Sequence, residues 1–360
     1  MTDILAGIGG LAQGVFSGNQ IPQRQIGVSI QLAQNTQTGQ PSTFSGLGSS
    51  GGGLGGLLSG GLSNIPGLIM GGAGGNTINI LGLRVSAHIR NAGAQPTADC
   101  RIWGLPQSVM NQLNSLGLRQ NVLAGNILTI SAGSTGTNAL SPVFKGYIFQ
   151  AFADYESMPD VPLVIQAGPG WNVLGSSPTA FPQGFSVVEA MTQIANKMGM
   201  QINNAGNVSV QLPSMYLSGS PLQQIRKLAR AAGITFGFNP NGKLDLFQKA
   251  TPRTDTQAIT ISKQTGMIAS PAFSSNCIVV KALFNPAVTQ NCTMIIHSNV
   301  LSNIAAAFPG TATTFSPVSS QWQVIVIDLD LESLVPKGQW MMTLTGWPSG
   351  TNPVLATNTK

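Results

Sequence analysis

The chain has 360 residues, a net charge of +6 and only 8% Asp, Glu, Lys and Arg, against about 25% in ordinary soluble domains. That length allows two or three domains, and so little charge implies a surface either coated in Ser, Thr, Asn and Gln or covered by protein contacts, the second matching the loss of charge at interface cores. Cys100, Cys277 and Cys292 form no CxxC pair, and His88 and His297 are the only histidines, which excludes a disulfide framework and a zinc site and leaves no cofactor to expect.

Residues 1–25 read as an N-terminal extension. Asp3 stands where a signal peptide carries Lys or Arg, and no window of about 20 apolar residues is free of dense Gly and Ser, so a reducing compartment and no membrane helix are expected. No charged residue lies between Arg24 and Arg84. Inside this stretch, residues 44–75 form a Gly/Leu-rich insertion, with glycine dense enough to oppose both helix and strand. Leu54, Leu57, Leu58, Leu62 and Leu68 make it too apolar for an inert linker, and a contact with a neighbouring subunit is expected of them. Gly51, Gly53 and Gly56 have GxGxxG spacing, but no strand precedes them and no acidic residue follows within reach, so a dinucleotide site is rejected.

From Ile78 the period becomes that of strands. Runs at 98–105, 127–133, 143–155 and 162–168 are rich in Ile, Val, Phe and Thr and broken by Gly, Asn and Pro, the pattern of a barrel or sandwich. One helix interrupts them over 106–117, with Val109, Leu113 and Leu116 on one face. The expected first β-barrel domain spans 26–183.

Residues 184–250 read as an α+β module with an internal repeat of 34 residues. Ser186–Ile202 and Ser220–Phe236 align without a gap, matching Met191 to Ile225 and Ile194 to Leu228. Each copy carries capping-box residues, Ser186 with Glu189 and Ser220 with Gln223. Each ends at a glycine suited to a left-handed cap, Gly199 or Gly233, before a short strand. Asn239–Gly242 reads as a turn between two strands. Arg226, Lys227 and Arg230 lack interleaved aromatics, so a solvated helix face is expected of them rather than nucleic-acid binding.

A second β-barrel domain is expected over 251–348, with strands at 276–286, 292–298, 322–333 and 339–347, and a tail over 349–360. Asp328, Asp330 and Glu332 alternate along one strand and share a face, read as solvated or subunit-facing. Asp154, Glu156 and Asp160 straddle a turn. With no GxSxG, HExxH or P-loop, neither acidic cluster builds a catalytic constellation, and the chain is read as a structural protein and no enzyme.

Three stretches in this order resemble the baseplate hub proteins of tailed bacteriophages and related contractile injection systems. The first runs from Ala98 through the helix to Phe144-Lys145-Gly146-Tyr147-Ile148. The second is the duplicated helix–strand unit. The third runs from the Leu283-Phe284-Asn285-Pro286 turn to the late strand opening at Gly338-Gln339-Trp340. Together they cover about residues 76–347. The resemblance implies a mainly β chain with two tube-protein-like barrels flanking an α+β module. It also implies a homotrimer whose ring joins tail tube protein to central spike protein, contacts other baseplate proteins and the tape measure protein, and lets DNA pass without specific binding. Such a subunit belongs to the virion and is made in the bacterial cytoplasm. The long insertion and the positive net charge depart from that pattern. Two alternatives remain at this point: a hexameric tail-tube or tube-end protein, and a tail protein gripping glycan through a LysM-like module at 186–249.

Overall fold

The computed structural model describes residues 24–32, 68–70, 77–92, 95–114, 125–134, 140–170, 173, 177–182, 184–249, 251–274, 277–297 and 320–348. The architecture is mainly β, as the alternating runs predict. The N-terminal half carries β1 (Arg24–Gln31), β2 (Leu68–Met70), β3 (Thr77–Ile80), β4 (Val85–Ala92), β5 (Thr97–Ile102), α1 (Gln107–Leu113), β6 (Ile127–Ser134), β7 (Ser141–Ala153) and β8 (Leu163–Gly168). A middle portion holds β9 (Thr179–Phe181), β10 (Phe185–Ser186), α2 (Val187–Lys197), β11 (Ile202–Asn203), β12 (Gln211–Leu212), β13 (Met215–Leu217), α3 (Pro221–Ala232), β14 (Ile234–Phe238) and β15 (Leu244–Gln248). The C-terminal half adds β16 (Ile259–Ile261), β17 (Ala272–Ser274), β18 (Cys277–Leu283), β19 (Thr293–Ile296), β20 (Ser320–Glu332) and β21 (Trp340–Pro348).

Fourteen of these strands belong to one hydrogen-bonded sheet. Its path turns back on itself twice. In the N-terminal half, β3 pairs with β1, and a few residues later β4 pairs with β5. The order β4-β5-β8-β7-β6-β1-β3 therefore returns to the chain segment it left. Gly82, at φ 76°, supplies the left-handed corner between β3 and β4 that a side chain rarely adopts. In the C-terminal half, β16 pairs with β19, Met267 bridges to Ala282, and β17 pairs with β18. The path β18-β21-β20-β19 is thus closed by the segment 259–274.

The halves meet where β4 lies antiparallel to β20 from Ser86↔Glu332 to Val326↔Ala92. One apolar core runs through both, including Ile26, Ile89, Ile165, Val280, Leu331 and Leu344. Alternation decides the register: Ile327, Leu329 and Leu331 turn inward while Asp328, Asp330 and Glu332 turn out.

The middle portion has a core of its own, built on Met191, Ile194, Ile225, Leu228, Phe236 and Leu246. The strands that follow the duplicated helices both pair with β15, but β11 runs parallel to it and β14 antiparallel. Gly199 and Gly233 take φ 66° and 65° as expected. The capping box forms only in the second copy, where Ser220 Oγ accepts from Gln223 N and Gln223 Oε1 accepts from Ser220 N. Ser186 makes no side-chain cap bond. It belongs to β10, which is paired with β12, and Val187 N donates to Val210 O, so a strand partner serves the amide beside it. Of the helix expected over 106–117, α1 covers Gln107–Leu113, the Asn114 side chain accepts from Ala153 N, and Leu116 lies outside the described residues.

Candidate functional site

Three features of the described surface carry chemistry, and none is a catalytic constellation. The first is the outer face of the β4–β20 seam. His88 Nδ1 lies 2.6 Å from Asp330 Oδ1, and Arg90 Nε lies 3.6 Å from Asp328 Oδ1. Glu332 Oε2 accepts from Gln339 N at 3.0 Å. On the next strand, Arg101 Nε stands 3.6 Å from Asp99 Oδ1, and Gln166 Nε2 donates to Asp99 Oδ2. Strand pairing places Lys281, Thr343, Asp328, Arg90 and Thr97 in one row across five strands. The face is a checkerboard of opposite charges, a pairing that favours cross-strand register.

Asp328, Asp330 and Glu332 thus share one face, as the alternation predicts, and their partners come from this chain. Of the apolar residues singled out in the insertion, Leu54, Leu57, Leu58 and Leu62 lie outside the described residues. Leu68 opens β2, whose backbone pairs with β3 at Leu68↔Ile80. Asp154 caps a single turn, Tyr155–Ser157, through bonds from Glu156 N and Ser157 Oγ, and Asp160 pairs with Arg84.

The second feature is a joint that sequence reasoning missed. Arg253, with its side chain 8% exposed, leaves the middle portion and enters the C-terminal half. Its guanidinium grips Asp255 at 2.5 and 2.7 Å, lies 3.4 Å from Asp245 Oδ2 and donates to Thr289 Oγ1. Its backbone N–H donates to Asn291 O. Asp245 also accepts from the amides of Asn203 and Asn239. Burial pushes the Asp245 carboxyl above its ordinary value, against the pull of those donors and of Arg253. The hydrogen bonds from Arg253 hold Asp255 below its ordinary value. A lone Arg in a polar linker carries no motif that would single it out. A cleft opens beside this joint, walled by Ile89 and Val143 from the N-terminal half, Phe238 from the middle portion, and Phe284 and Leu329 from the C-terminal half.

The third is a pair of projecting aromatic patches. Met158 is 71% and Tyr155 47% exposed on the acidic turn, and Tyr216 is 67% exposed near the basic face of α3. Among the described residues no three His, Cys, Asp or Glu side chains stand close enough to hold a metal ion.

This mainly β fold, with a returning sheet path in each half and a small helical portion between them, is similar to that of a tail protein from Neisseria meningitidis (TM-score 0.50, 8% identity, covering 74% of this chain and 92% of that one). It is equally similar to the 43 kDa tail protein of prophage MuSo2 from Shewanella oneidensis (TM-score 0.50, 8% identity, covering 78% of this chain and 97% of that one). At such identity the likeness is one of fold. No protein-family model matches the sequence, and no curated protein matches it.

Proposed function

We propose that this chain is a baseplate-hub subunit of a phage-type tail, a homotrimer joining the tail tube to the central spike around a channel for the genome. The observation that carries the reading is the pair of returning strand paths within one chain, one coming back to the segment Thr77–Ala92 and the other bridged by Ile259–Ser274. Each path builds one tube-like barrel, so three copies present six barrels to a sixfold tube. The fold shared with two tail proteins supports the same assignment, and the scarcity of charge suits a subunit enclosed by others. The role is structural, with tube, spike, other baseplate proteins and the tape measure protein as neighbours, and DNA passing without specific contacts.

In this reading the acidic row of β20 pairs across the seam with β4, and its half-exposed face is open to a neighbour. The leucines of the insertion, Leu54 to Leu62, serve as a subunit contact. Deleting residues 46–66 keeps β2 and is expected to weaken assembly; unchanged assembly and infectivity would remove that role.

The test of the whole reading is solution mass by light scattering, with negative-stain images of the same peak. The expected species is about 112 kDa, three times the 37.3 kDa chain, seen end-on as a closed ring with a central hole. A hexameric ring would instead make it a tube protein.

A further inference from the structure

The two most exposed large apolar side chains among the described residues, Met158 and Tyr216, sit in patches of opposite charge. Met158 and Tyr155 project from the turn that carries Asp154, Glu156 and Asp160. This turn is rigidly built: Asp154 caps it, the Tyr155 hydroxyl accepts from Gln107 Nε2, and Arg84 pairs with Asp160 while stacking 4.3 Å over the Trp103 ring. Tyr216 lies two residues before Ser218, whose carbonyl accepts from Lys227 Nζ. Beside it α3 exposes Arg226, Lys227 and Arg230. None of these three cations forms an ion pair among the described residues, and neither Asp154 nor Glu156 does.

The patches lie at opposite ends of the β4–β5 hairpin. Arg226 Nη2 donates to Gln95 Oε1 just before β5, whereas Arg84 and Trp103 flank the other end of the pair. From Gln95 to Trp103 the strand spans roughly 25 Å at about 3.3 Å per residue. One chain cannot bring its own patches together, but a second copy can.

We propose that the Tyr155–Met158 turn of one copy docks on the Tyr216–α3 surface of the next, giving a head-to-tail contact. Exposed aromatic and Met anchors ringed by charge are the make-up of a hot spot with a polar rim, and the opposed charges orient the approach. Two different patches on one subunit make a heterologous interface, which closes into a ring when its rotation permits. The proposal rests on the trimeric reading above and names the surfaces that build it.

The experiment is a charge swap in the full chain, read as association constant by light scattering across protein concentrations, with circular dichroism to confirm folding. Glu156→Lys and Lys227→Glu are each expected to weaken association about tenfold or more, and the double variant to recover most of that loss. Met158→Ser, an uncharged change on the same turn, is expected to weaken association without changing its salt dependence. A wild-type trimer indifferent to the single variants, or a double variant no better than the singles, overturns this contact and leaves the hub reading standing. A wild-type chain that stays monomeric at every concentration overturns both.

Discussion

Asp330 and His88 face each other across the seam with 2.6 Å between Oδ1 and Nδ1, although 242 residues separate them. Their side chains are 31% and 56% exposed, so the pair works in high dielectric, where ion pairs contribute little. On the reverse face of the same strands, Ile89 is 2% and Leu331 1% exposed. Asp330→Ala is therefore expected to cost no more than about 1 kcal/mol. Ile89→Ala should cost about 2–5 kcal/mol, since it opens a cavity in the shared core. Denaturant unfolding of the two variants separates them. If Asp330→Ala were the more damaging, the charged face rather than the apolar one would be holding the halves together.

Arg253 is the residue on which the middle portion and the C-terminal half converge. Replacing it with Met leaves Asp245, 2% exposed, without its cation, and a stability loss of about 3–5 kcal/mol is expected. The two carboxylates give opposite pH signatures. Asp255 is held below its ordinary 3.8 by Arg253, so its contribution is present above that value and lost as pH falls through the lowered one. Asp245 is pushed above 3.8 chiefly by burial, so its contribution is full below that value and lost as pH rises through the raised one. Urea midpoints from about pH 7 down to about pH 3 should therefore show wild type gaining on Asp245→Asn as pH falls, while Asp255→Asn removes part of the loss at the acid end.

Most strands were legible because alternation is a local signal. Along β20 each inward Ile or Leu is followed by an outward acid, and that pattern alone sets the face of Asp328, Asp330 and Glu332. The partner of that face was not legible, because β4 lies far away in sequence and a hydrophobic period does not say which strand comes alongside. The strand period is read only from Ile78, so β1 is not expected, although Ile26, Val28 and Ile30 alternate in it and all three are buried. After Arg24 its outward positions are Gln25, Gly27, Ser29 and Gln31, none of them charged, which blunts the contrast with the apolar ones. The Arg253 joint left no trace in the sequence, since its meaning comes only from the partners that folding delivers.

The positions of the three cysteines give a labelling order. Cys100 and Cys292 are fully buried. Burial pushes both thiols above their ordinary value, for Cys100 with a further push from Asp99. Cys277, at the start of β18, is only half-buried. A thiol reagent at mildly alkaline pH should therefore modify Cys277 first and reach the other two only when the protein unfolds, because the thiolate is the reactive species. Mass spectrometry of the timed reaction reads the order. Early modification of Cys292 would mean that the wall beside the Arg253 joint opens in the native state.

The duplicated helices offer a matched pair of cap mutations. Ser220 and Ser186 occupy equivalent places in the repeat, yet only Ser220 closes a capping box, with Gln223. Pro221 at the first helical position has no N–H to satisfy, so the Ser220–Gln223 exchange serves the amides that remain. Ser220→Ala removes the acceptor for Gln223 N and should cost about 1 kcal/mol. Ser186→Ala removes no cap bond, and β10 still pairs with β12 through its backbone, so its cost should fall within about 0.5 kcal/mol. Thermal unfolding of the two variants under one set of conditions decides. Equal losses would mean that Ser186 also caps α2 in solution and that the two copies share more than their spacing.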